Sequence, residues 1–133
     1  MDIVEAARET LGTPFRHQGR LLGEGLDCAG MVVYAARRAG YDVFDIEGYG
    51  PNPANGQLED ALDMQTCLYQ VPVPMRESGD LLLLRFLGEP QHLAICAGST
   101  MIHAYLPSGK CCEHDIDTKW AIRIVRVYRF TEL

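Results

Sequence analysis

The chain is short of several things, and each shortage removes a class of protein. None of its 133 residues lies in an apolar run of the roughly 18 or more needed for a membrane-spanning helix. Positive charge is in the minority: 12 Lys and Arg against 18 Asp and Glu leave a net charge of −6. Such a surface repels phosphate backbones and offers no polybasic run for anionic lipid, so neither nucleic-acid binding nor membrane insertion is expected. The opening MDIVEAARET lacks the basic start and apolar stretch of a secretory signal. The expectation is a chain made, and at first kept, in the cytosol. No CxxC pair, phosphate-cradling glycine motif or serine nucleophile elbow occurs. The five cysteines are odd in number, which fits free thiols better than a disulfide framework.

What remains is ordinary for a globular protein, 47% apolar and 23% charged, and of a length for one domain over residues 1–133. Asp2 and Glu5 resemble a capping box before Ile3, Ala7 and Leu11, predicting a short amphipathic helix that stops at Gly12 and Pro14. Glycines 19, 23 and 25 then keep a loop open. Asp27 is suited to cap a second helix, and Cys28 to Ala36 are apolar almost all round, the mark of a buried helix. Arg37, Arg38 and Gly40 suit its C-terminal end. After the GYGPNPANG loop, Leu58, Ala61, Leu62 and Gln65 predict a third helix, in which Cys67 reads as ordinary packing. Val71-Pro72-Val73-Pro74 forces an extended connection. Strands are predicted over 80–86, 92–97, 100–105 and 122–130. Helices followed by strands indicate an α+β domain with a mostly antiparallel sheet.

Cys28 is the first candidate for chemistry, because the helix N-terminus favours thiolate over thiol. A two-residue turn at Gly98-Ser99 makes facing positions sum to 197 in the hairpin that follows. His92, Ala94, Cys96, Met101, His103 and Tyr105 then share one face, and Leu93, Ile95, Ile102 and Ala104 form the core face. His92 and His103 fall on a diagonal, roughly 7–8 Å apart at the backbone, the layout of a base and its orienting partner. His17, in the glycine-rich loop ahead of Cys28, is divided between lining substrate and plain exposure. Cys96 reads as packing, and Asp42, Asp45 and Glu47 as a solvated loop. In Cys111-Cys112-Glu113-His114 the adjacent cysteines are poorly disposed to share one tetrahedral zinc, so no metal or other cofactor is expected.

Leu26-Asp27-Cys28-Ala29-Gly30, Gly79-Asp80-Leu81-Leu82-Leu83, His92-Leu93-Ala94-Ile95 and Met101-Ile102-His103-Ala104, in that order, resemble the NlpC/P60 cysteine peptidases. Gly12 to Gln18 resembles the branch found in tail modules of phages and gene transfer agents. The resemblance implies a papain-like fold, with N-terminal helices packed on the sheet. It also implies hydrolysis of peptidoglycan stem peptides, usually between γ-linked D-glutamate and the diamino acid. Cys28 corresponds to the nucleophile, His92 to the base, His103 to the third polar residue and Asp27 to an acidic residue that meets the stem-peptide amine in some members. The family usually has tyrosine where this chain has Phe15, which concerns substrate positioning. Peptidoglycan peptides are thus the expected partner, with phage-like tail proteins as a second and a virion tail as a destination. The alternatives are a non-catalytic tail or wall-binding module, and a cysteine-dependent amidase or acyltransferase.

Overall fold

A computed structural model describes residues 1–132. Helix α1 spans Ile3–Arg8, with the Asp2 carboxylate accepting from the Glu5 N–H as its N-cap. It ends earlier than its apolar spacing suggests, because Thr10 and Leu11 close turns onto Ala7 and Arg8. The glycine-rich stretch after it is a small antiparallel ribbon, β1 (Arg20–Leu21) with β2 (Gly25–Leu26). Two-residue strands leave too short an alternation to be read from sequence. Helix α2 (Cys28–Arg38) follows immediately, capped by Asp27, whose side chain accepts from the Gly30 N–H. Ala29, Met31, Val32, Ala35 and Ala36 are buried. The small alanines let the helix lie close on the sheet.

Helix α3 (Gln57–Asp63) stops short of Cys67, which lies in the turn beyond it, so the helical placement of Cys67 is corrected. Beyond that turn come β3 (Leu68–Val71), β4 (Leu81–Phe86), β5 (Glu89–Cys96), β6 (Thr100–Tyr105), β7 (Lys110–Asp115), the short helix α4 (Thr118–Ala121) and β8 (Ile124–Phe130). The six-stranded sheet has the order β3-β8-β4-β5-β6-β7, and every neighbouring pair is antiparallel. The α+β architecture is as expected. Strands β3 and β7 were not: one is cut short by Pro72, and the other carries three charged residues and a histidine in six positions.

The sheet is covered on both faces. Leu81, Leu83, Leu93, Ile95, Ile102 and Ala104 join α1, α2 and α3 in the main core. Leu82, Leu84, Ala94, Cys96, Met101, Ile124 and Val127 form a second cluster on the opposite face, with Trp120 of α4 packed against it. The hairpin register agrees with the facing-pair sum, Ile95 opposite Ile102 and Cys96 opposite Met101, around a turn in which Gly98 has φ +86°. The ladder ends there. Leu93 and Ala104 are not paired, so β5 and β6 part at the end where α2 begins.

Candidate active site

That parting matters because α2 packs on the Leu93 face while His92 belongs to the other. The Cys28 thiol, on the first residue of α2, lies toward the backbone N–H groups of Leu93 and Ala29, which favour its thiolate. It therefore reaches the strand residue next to His92. Cys28 and His92 both line a cleft of about 570 Å³, whose walls also include Asp27, Phe15, His17 and Tyr49. The cleft thus gathers five of the six candidate residues. His103, fully buried, lies behind His92 rather than in the cleft wall.

The imidazoles form a row. His92 Nε2 lies 2.6 Å from His103 Nδ1, and His103 Nε2 lies 2.8 Å from His114 Nε2. His114 Nδ1 ends the row 2.9 Å from the Asp115 carbonyl oxygen. Aromatic side chains enclose it. Phe86 stacks on His92 at 4.5 Å, Tyr105 stacks on His103 at 5.0 Å, and Trp120 meets the rings of both His103 and His114 edge-on or tilted.

This enclosure sets the electrostatics. Burial pushes His92 down to about 3, with the nearby positive charge of Arg123 adding to the effect. Burial likewise lowers His103 to about 2. Both rings are neutral at physiological pH. The expected helix-terminal activation of Cys28 is outweighed: burial, then the charge of Asp27, push its thiol up to about 12 despite the donors from Leu93 and Ala29. At rest the site is a neutral thiol and a neutral imidazole lining one cleft, so a proton must leave as the sulfur attacks.

Asp27 is the most heavily bonded side chain at the cleft. Oδ1 accepts from the Gly30 N–H at 2.8 Å and Arg20 Nη1 at 3.0 Å; Oδ2 accepts from the Gln18 N–H and the Tyr49 hydroxyl. With all four acceptor positions taken and 3% of the residue exposed, it supports the helix start and the floor of the cleft. Arg20 also clamps Asp45 through Nε and Nη2. Asp45 is thus no solvated-loop residue but half of a partly buried ion pair. His17 is exposed at the rim, its ring edge-on to Tyr49 at 5.7 Å, and Phe15 is half-buried against the main core.

Arg20, Tyr49 and Trp120 carried no signal in the sequence, since each acts through contacts made by distant elements. His114 did carry one. Across β6 and β7 facing positions sum to 215, with Met101 opposite His114 and His103 opposite Cys112, so Cys112 and His114 share the histidine face. The same arithmetic that aligned His92 with His103 finds it once 110–115 is read as a strand. Among the described residues, His103, Cys112 and His114 are one group able to hold a metal ion, their ligand atoms lying within 4.8 Å of one another. Cys111 points the other way, into the main core. The two Nε2 atoms stand at hydrogen-bond distance, whereas tetrahedral zinc would hold them about 3.3 Å apart.

The NlpC/P60 family model matches residues 12–129. The NlpC/P60 domain of the peptidoglycan hydrolase SagA is 24% identical at a TM-score of 0.66, covering 94% of this chain and 93% of that one. The peptidoglycan hydrolase RipB from Mycobacterium tuberculosis is 21% identical at 0.71, covering 98% of this chain and 64% of its own. An NlpC/P60 family protein from Bacillus cereus is 18% identical at 0.73, covering 98% and 40%. The chain therefore spans about two fifths of some of these proteins and nearly the whole of others. No curated protein matches it by sequence.

Proposed function

This chain belongs to the NlpC/P60 family, matched over residues 12–129, and from that we propose that it is a cysteine peptidase hydrolysing peptidoglycan stem peptides. The observation that carries the reading is the cleft shared by Cys28 and His92, with His103 bonded to the far side of the His92 ring. Cys28 is the nucleophile and His92 the base. The sulfur attacks the scissile carbonyl while its proton passes to His92 Nδ1, the ring nitrogen left free by the bond to His103. The tetrahedral oxyanion is held by the Cys28 N–H, one of those an α-helix leaves unbonded at its start. His92 then protonates the departing amine, leaving a thioester, and next draws a proton from water that hydrolyses it. His103 supports the imidazolium form of His92 by accepting its Nε2–H.

The bond cut is that between γ-linked D-glutamate and the diamino acid, on the strength of the family resemblance. Asp27 fulfils its part by fixing the start of α2, with the substrate amine held elsewhere in the cleft. Phe15 leaves that wall without the usual hydroxyl. The Gly12–Gln18 stretch supports a tail-associated setting, in which a phage-like assembly brings the protein to the wall.

Mass spectrometry of purified muropeptides incubated with the wild-type protein and with Cys28→Ala tests the reading. Cleaved stem peptides are expected with the first and none with the second, at unchanged fold by circular dichroism. Equal product from both would overturn it.

A further inference from the structure

The row of imidazoles extends beyond the pair that the proposed peptidase needs, and its far end has a polarity. A backbone carbonyl can only accept, so the bond from His114 Nδ1 to the Asp115 oxygen puts the His114 proton on Nδ1. In neutral His114, Nε2 is then bare and must accept from His103 Nε2. That places the His103 proton on Nε2 and leaves its Nδ1 bare. His103 Nδ1 must in turn accept from His92 Nε2. His92 is left with an unprotonated Nδ1, the tautomer able to take a proton from the thiol.

We infer that His114 is a positioning residue, which, through the Asp115 carbonyl and His103, holds His92 in its base-competent tautomer. The inference rests on the peptidase reading for its consequence in turnover, but the proton placement stands apart from it. With one proton on each ring the count closes: the three N–H protons sit at His114 Nδ1, His103 Nε2 and His92 Nε2. Reversing the direction of any one bond reverses those between it and the thiol, and puts a proton on His92 Nδ1, where the base must be empty.

The surroundings suit such a device. His92 and His103 are buried at 5% and 0% exposure, and Phe86, Tyr105 and Trp120 cover them, so solvent does not supply a competing acceptor for His103 Nε2. Trp120, tilted against His114 at 4.9 Å, keeps that ring in line. Cys112 lies opposite His103 in the ladder; the Ser108 hydroxyl is 3.6 Å from its sulfur and closer to the Tyr105 and Lys110 carbonyls.

Two measurements test this on the full chain. Imidazole 15N spectra of the free protein at neutral pH should show bare Nδ1 on His92 and His103 and bare Nε2 on His114; a protonated Nδ1 on His92 would overturn the inference whatever the enzyme's substrate. In turnover of muropeptides, His114→Gln, whose amide oxygen replaces the acceptor, should keep kcat within about threefold. His114→Leu, which offers no acceptor, should lower kcat at least tenfold with KM unchanged and leave His92 in mixed tautomers. Wrong-tautomer imidazoles in hydrolase triads cost up to about 10⁴. Equal losses in both variants with the wild-type tautomers retained, or none in either, would reduce His114 to packing. Absence of wild-type cleavage, with the spectra as expected, would instead fault the peptidase reading alone.

Discussion

At the residue scale, the site is governed by groups that share few atoms with substrate. Asp27 illustrates this: its carboxylate, almost wholly enclosed, is matched by four donors. Arg20 supplies the only charge among them and is shared with Asp45. Removing Arg20 would leave a buried carboxylate without its cation, the costly way to break an ion pair. Arg20→Ala is therefore expected to lower stability by about 2–3 kcal/mol, the solvent-facing share of the pair with Asp45 counting for little. Urea melts would read this as a lower midpoint at unchanged slope; a shift below about 0.5 kcal/mol would show the Asp27 cluster to be held by its neutral donors alone.

At the scale of elements, two close approaches build the site. One is the parting of β5 from β6 beyond Ile95 and Ile102, which lets the start of α2 reach the Leu93 backbone. The other is the contact of α2 with the loop before β1. A Cβ on Gly30 would stand 2.1 Å from the Gly19 carbonyl oxygen, a backbone atom with little room to retreat. In an open helix Gly→Ala gains about 1 kcal/mol. Here the overlap decides the sign, and Gly30→Ala should destabilise by about 2 kcal/mol. A thermal melt at or above the wild-type temperature would show that the loop yields. Gly30 and the capping Asp27 were legible as a helix start. That this start needs a glycine because a loop crosses it was not, since the crossing residue lies eleven positions away.

Over the whole molecule, the second face of the sheet separates this protein from a simple two-layer domain. Trp120 and β8 cover the imidazole row, and the burial that results makes the fold acid-sensitive. His92 and His103 have folded values pressed down to about 3 and about 2, against about 6.5 for a free imidazole. A depressed value means that the unfolded chain binds more protons. The stabilising contribution is complete above pH 6.5 and declines as pH falls toward 3. The loss should approach about 1.4 kcal/mol per pH unit for each histidine involved. Denaturant midpoints measured from pH 7 to 4 should fall accordingly. A flat profile in wild type, or an equal slope in His92→Gln, would place the acid sensitivity elsewhere.

The local elements followed from the sequence because they rest on local rules: Asp27 before a run apolar on every side, glycine at the ends of helices, a two-residue turn that sets the facing pairs of the β5–β6 hairpin. These placed Cys28 at a helix start and put His92 and His103 on one face. The tertiary structure decided the rest. Only packing brings α2 to the gap in the sheet, shuts the imidazoles away from water, holds the thiol half-buried next to Asp27 so that the expected thiolate is reversed, and adds a third ring from a strand too charged to look like one. Periodicity reports which way a side chain faces along its own element; burial and hydrogen-bond direction depend on what other elements bring against it.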